Sequence, residues 1–327
     1  MVTTRELLPV LVIVACLGAI AGCTSRTAAA AESTAAECSN GSDDDRDGLI
    51  DCADRACTMY AFCATGGIDG GGADGAMPAD GGPPADRMIG PSCSAPLDVV
   101  FVMDVSTSMA DEAMRLREGV ESIWTAANAL TSDAEFRLVV FVDDAFADGG
   151  CASFADVGTL QTRLDHWRAF CAMNRSPSSS TTNTDCPENS LDAIWLAATS
   201  CPWREGATRV LIHVTDDTFV ERPMMLSGDP FFGGGVAVEH TYAEVRDALI
   251  AAEIRVGAFA APGAGEECGA GSSANVGRGF HEAYMGLPSL PESTGGRVWS
   301  IREVRAGTLD MAASIRDLLE DEYCTLF

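Results

Sequence analysis

From residue 94 onward, short runs of branched and aromatic residues alternate with longer stretches whose apolar residues recur at helical spacing, and this alternation leaves few architectures open. Leu97 to Met103 (LDVVFVM), Phe136 to Val142 (FRLVVFV), Arg209 to Val214 (RVLIHV) and Ile254 to Ala260 (IRVGAFA) read as buried strands, with a short one at Arg297 to Ile301. Helices are expected over 110–130, 159–170, 190–199, 242–253 and 308–323, with a polar loop over 171–187. Strands apolar on both faces must be covered on both faces, which predicts an α/β fold with a mostly parallel central sheet flanked by helices. In such open sheets a ligand sits beyond the carboxyl ends of the strands, so chemistry is sought in the residues that follow each strand.

The N-terminal part is built differently. Arg5, the apolar run Leu7 to Ile20 and then Ala21-Gly22-Cys23 resemble a bacterial lipoprotein leader, in which residues 1–22 are removed and Cys23 is lipidated. Thr24 stands where an inner-membrane lipoprotein usually has Asp, so the resemblance implies an outer-membrane address in the cell envelope. The alternative is a short membrane anchor, although the run falls short of the roughly 20 residues a span needs. Residues 23–37 are a tether of Ala, Ser and Thr, and 64–92 a Gly, Ala, Asp and Pro linker. Between them, 38–63 is bounded by Cys38, Cys52, Cys57 and Cys63, and contains Asp43, Asp45, Asp47, Gly48 and Asp51. That run resembles the calcium loops of EF-hands and thrombospondin type 3 repeats. Asp54 stands where an EF-hand loop carries Glu, and an acidic disordered tract is the alternative reading. Residues 93–327 form the large domain.

Export suits the 13 cysteines; with Cys16 and Cys23 assigned to the leader an odd number remains, so one thiol must stay unpaired within the chain. Cys57 and Cys63, or Cys93 and Cys324, read as disulfide partners rather than zinc ligands; Cys93 and Cys324 flank one domain, whose ends usually lie close. The net charge of -27 argues against nucleic acid or an anionic membrane surface as ligand, leaving the lipid anchor as the expected membrane contact.

Directly after the first strand come Asp104, Ser106 and Ser108, three oxygen-bearing side chains at alternate positions on a turn into a helix. Hard oxygen donors with few charges suit Mg²⁺ or Mn²⁺. A helix N-cap is the competing explanation, but a cap needs only one such residue. An Asp-x-Ser-x-Ser run after a buried strand resembles the metal-ion-dependent adhesion site of von Willebrand factor A domains, which implies a Rossmann-like fold. The segment Asn183-Thr184-Asp185-Cys186-Pro187-Glu188 is similar to the corresponding loop of integrin β-subunit I-like domains. The resemblance implies Glu188 as the third protein ligand and Asp216, after RVLIHV, as an Asp acting through water. Thr181, Thr182 or Thr184 are the alternatives to Glu188. It also implies two flanking Ca²⁺ sites, one with Asp111 and Glu112, the other with Asp143, Asn183, Asp185, the Pro187 carbonyl and Glu188. Asp111 and Glu112 equally suit the dipole of a helix's first turn, and Asp144 competes with Asp143.

No HExxH, GxSxG or GxxxxGK is present, and His213 inside an apolar strand reads as a core residue. The chain is therefore expected to be no enzyme. It is expected to bind a protein ligand, through an acidic side chain that completes the metal's shell. The alternative is an envelope assembly subunit whose metals only brace the domain.

Overall fold

A computed structural model describes residues 94–228, 235–265, 267 and 274–325. Cys23, the cysteines and aspartates of 38–63 and Cys93 lie outside the described residues.

The strands are β1 (Leu97–Asp104), β2 (Ala134–Phe141), β3 (Ala145–Ala147), β4 (Thr208–Val214), β5 (Met225–Leu226), β6 (Val236–Ala237), β7 (Ile254–Ala260) and β8 (Arg297–Ser300). The helices are α1 (Ala110–Leu130), α2 (Val157–Phe170), α3 (Ser190–Ser200), α4 (Tyr242–Ala251), α5 (Leu290–Ser293), α6 (Ile301–Ala306) and α7 (Met311–Glu322). Six strands form one sheet in the order β3-β2-β1-β4-β7-β8. All its pairs are parallel except β2 with β3, which is antiparallel at the edge. The expected α/β fold with a mostly parallel sheet is therefore the fold observed.

Side chains of β1 divide between the two faces with the period of 2 that a pleated strand imposes. Val99, Phe101 and Met103 join the core under α1, α2 and α7, and Val100 and Val102 join the core under α3 and α4. On the first face Gly119 lets α1 and α7 approach closely, since a Cβ there would lie 2.4 Å from Ala312 Cβ. On the second, His213 is stacked between Phe141 and Phe280 and is fully buried. Burial pushes its pKa down to about 3, so the ring is neutral.

Several short elements depart from the sequence reading. The last expected helix is α7, and α6 before it was not expected: Gly307, with φ of 70°, ends α6 in the left-handed region, and Asp310 caps α7 by accepting from Ala313 N–H. The strand β3 is only three residues long, too short to show a period, and α5 is a single turn begun by Ser289. The polar loop ends where Asn189 caps α3, accepting from Asp192 N–H.

Cys151 and Cys201 are disulfide-bonded, with Cα atoms 5.2 Å apart. This bridge was not among the pairs expected from sequence. Cys186 and Cys324 each take part in a separate disulfide. Among the described residues Cys171 is free, and it is buried.

Candidate metal centre

β1 and β4 are neighbours at the middle of the sheet, and both deliver acidic residues at their carboxyl ends. Asp104 is the last residue of β1, while Thr215, Asp216 and Asp217 follow β4 directly. Carboxylate oxygens of Asp104, Asp216 and Asp217 lie within 4.8 Å of one another, and all three residues are buried. The parallel register that aligns Met103 with Val214 makes this meeting unavoidable.

The turn after β1 is fastened to the same point. Ser106 N–H donates to Asp104 Oδ1 at 2.7 Å, and Thr215 Oγ1 donates to Asp104 Oδ2 at 2.8 Å. Ser106 Oγ is 3.1 Å from Ser108 Oγ, and Ser108 Oγ donates to Asp216 Oδ1 at 2.9 Å. Ser106 opens a short 3-10 turn at Thr107–Met109 without making a side-chain capping bond. Its hydroxyl is turned to the carboxylates instead, which removes the N-cap explanation for the serines.

Glu188, from the loop before α3, lines the same cleft as Ser106, Ser108 and Asp217. Its backbone N–H donates to Thr218 O at 2.9 Å, and the next residue's N–H donates to Val142 O at 2.8 Å, so two strand ends hold this residue. Asn183 Nδ2 donates to Glu188 Oε1 at 2.8 Å, whereas Glu188 Oε2 is buried with no partner. Asp143 is fully buried, accepts from Ser176 Oγ at 3.0 Å through Oδ2, and leaves Oδ1 buried without a partner. Asp144 turns outward to accept from the backbone N–H groups of Ser178 and Ser179 at 2.9 and 2.6 Å. Asp185 accepts from Ser227 N–H and Oγ at 2.8 and 3.1 Å. Thr181 Oγ1 is paired with Ser179 Oγ at 2.9 Å, and Thr182 is exposed. A cleft of about 360 Å³ opens over the cluster, lined in part by Ser106, Ser108, Asn183, Thr184, Glu188 and Asp217.

So many buried carboxyls repel each other's charge. Burial, reinforced by Asp216, pushes Asp104 up to about 7. Burial together with Asp216 and Asp104 takes Asp217 to about 9. Glu188 rises well above the usual carboxylate range through burial and then Asp104, Asp217 and Asp143. Burial is also the main cause of the rise at Asp143. A divalent cation answers all of these at once, and the donor set of two hydroxyls, clustered carboxylates and an orphaned Glu188 oxygen fits a hard ion. Ser106, Ser108 and Glu188 would hold it, Asp104 and Asp216 would orient the ligands from behind, and the ion would supply a Lewis-acidic position facing the cleft.

Asp111 and Glu112 stand in different surroundings. Asp111 is exposed, while Glu112 is fully buried and bonded to Arg305. Three contributors to the centre escaped the sequence reading. Thr215 and Asp217 flank Asp216 at the strand end, and that position was their signal. Arg305 had none, being 89 residues from the aspartate it contacts.

Over 165 residues the chain is 27% identical to Integrin beta-PS of Drosophila melanogaster, a match covering 43% of this chain and 18% of that protein. The described domain is von Willebrand A-like. No protein-family model matches the chain. Solved structures similar to it include the conserved hypothetical protein BatB from Bacteroides thetaiotaomicron, at 15% identity and a TM-score of 0.39, covering 68% of this chain and 98% of that one. Another is an aerotolerance-related membrane protein from Bacteroides fragilis NCTC 9343 with multiple mutations to serines, at 17% identity and a TM-score of 0.39, covering 69% and 98%. Among the described residues no helix of this A-like domain is long and apolar enough to cross a membrane.

Proposed function

We propose that this A-like domain binds a protein ligand through a Mg²⁺ or Mn²⁺ ion held by Ser106, Ser108 and Glu188, with Asp104 and Asp216 behind them. An acidic side chain of the partner completes the ion's shell, and no catalysis is involved. The observation that carries this reading is the buried, unpartnered Glu188 Oε2, on a residue that lines the same cleft as Ser106, Ser108 and Asp217. Such a group is expensive to bury alone and is stabilised by a cation. The overall acidity of the chain is reversed at that one spot, so an acidic partner is attracted only where the ion sits. Ca²⁺ is proposed for a flanking site with Asp143, Asn183, Asp185 and the Pro187 carbonyl, and for the loop holding Asp43, Asp45, Asp47 and Asp51. In this reading Cys23 carries the lipid that fixes the protein in the cell envelope, at the outer membrane.

The test is calorimetry with Mn²⁺. Asp104→Ala is expected to abolish binding at this centre. Glu188→Gln is expected to weaken it by more than the ~10–100-fold typical for residues that orient ligands from behind. Thr184→Ala should change it little. Unchanged affinity in Asp104→Ala defeats the proposal.

A second reading, in which the ion only braces the domain, draws on the fact that the cluster's oxygens come from the ends of β1 and β4 and the loop before α3. It requires metal-dependent stability without metal-dependent capture of a partner.

A further inference from the structure

The turn of α1 that carries Asp111 and Glu112 meets a cation that belongs to the chain itself. Arg305, on α6, donates from Nε to Glu112 Oε1 at 2.6 Å and from Nη2 to Asp216 Oδ2 at 2.7 Å. The same Nη2 lies 3.4 Å from the carbonyl oxygen of Ser108. Oxygens from two segments, the turn from Ser108 to Glu112 and the residue Asp216 after β4, thus converge on one guanidinium. That convergence is what an oxygen-bound divalent ion would require of them.

Arg305 satisfies this pocket in the way an ion would, but with a fixed fork. Glu112 is fully buried and Asp216 nearly so, and Arg305 is the one basic side chain paired with either among the described residues. A guanidinium stays charged at every relevant pH and matches carboxylates in a directed geometry, so a small ion cannot displace it as it would displace water. A divalent cation placed among the same oxygens would stand against a positive charge already bonded to them. Asp111, exposed on the other side of the turn, offers no remedy.

We propose that Arg305 replaces the divalent ion expected beside the adhesion site, so that Glu112 and Asp216 bind no metal of their own while the guanidinium is present. Arg305 is then a positioning residue: it holds Asp216, whose other oxygen accepts from Ser108 Oγ at 2.9 Å. This last role rests on the adhesion-site reading above; the exclusion of the neighbouring ion does not.

Bound Mn²⁺ per chain is counted by electron paramagnetic resonance on the full-length protein, comparing variants so that ions held elsewhere cancel. Arg305→Ala is expected to bind one ion more than the wild type, and adding Glu112→Gln to it should remove that ion again. Arg305→Lys, which keeps the charge, should match the wild-type count. Glu112→Gln alone should also leave the count unchanged, and this variant retains Arg305 if Arg305→Ala proves unable to fold. An equal count in Arg305→Ala and wild type, or the loss of an ion in Glu112→Gln alone, overturns the proposal. Loss of an ion in Asp104→Ala tests the adhesion site separately, so either idea can fail without the other.

Discussion

Asp104 shows how a single residue at the end of a strand sets the solution behaviour of the domain. Its carboxyl is pushed from 3.8 up to about 7 by burial and by Asp216. A carboxyl raised in the folded state holds a proton that the unfolded chain releases near pH 4. Its contribution to stability is therefore present below that pH and is lost as pH rises through about 7. In chelator, the melting temperature of the wild type is expected to fall between pH 4 and 8 relative to Asp104→Asn, which carries no charge there. Added Mn²⁺ should cancel the fall at pH 8, since binding requires the ionised form and releases the proton. Parallel pH profiles for wild type and Asp104→Asn in chelator contradict this. At this scale the sequence was informative where residues stood in one short run, as at Asp104, Ser106 and Ser108. It was silent on Arg305, because a contact between α6 and the end of β4 is made by tertiary packing and leaves no local spacing to read.

At the scale of elements, β1 meets the carboxylate cluster at one end and carries a buried ion pair at the other. Asp98 is fully buried, accepts from Arg137 Nη1 at 3.2 Å, and accepts from Arg204 Nε and backbone N–H at 2.8 and 2.7 Å. Removing the carboxylate leaves Arg137, which is 3% exposed, with Glu135 as its remaining acidic partner, and breaking such a buried pair costs about 3–5 kcal/mol. Asp98→Ala is thus expected to shift the denaturant midpoint strongly while leaving the Mn²⁺ count as in the wild type. A lost ion would mean that the two ends of the strand are coupled. The bridge between Cys151 and Cys201 spans 50 residues, including the loop with Asn183 and Glu188. Cys151→Ser with Cys201→Ser should cost about 2–4 kcal/mol, measured by chemical denaturation. The sequence revealed the long buried strands and α1 well, because their period is sustained. It missed α6, whose six residues are too short a stretch to establish a period, and it passed over β3, whose three residues are each only partly buried.

For the whole molecule, adhesion and bracing separate in one experiment. Capture of a partner by immobilised protein is expected with Mn²⁺, and is expected to vanish with chelator, with Asp104→Ala and with an excess of an acidic peptide. Capture that persists in chelator, while stability still depends on metal, would favour the brace. The placement of the cluster has a mechanical consequence. Residue 97 and Asp104 are the opposite ends of β1, and β1 is registered against β2 on one side and β4 on the other along nearly its full length. A pull between a partner seated over Asp104 and the chain preceding Leu97 runs lengthwise through that strand. It loads both ladders in shear, so many hydrogen bonds must yield together, whereas a pull across the sheet would unzip them one at a time.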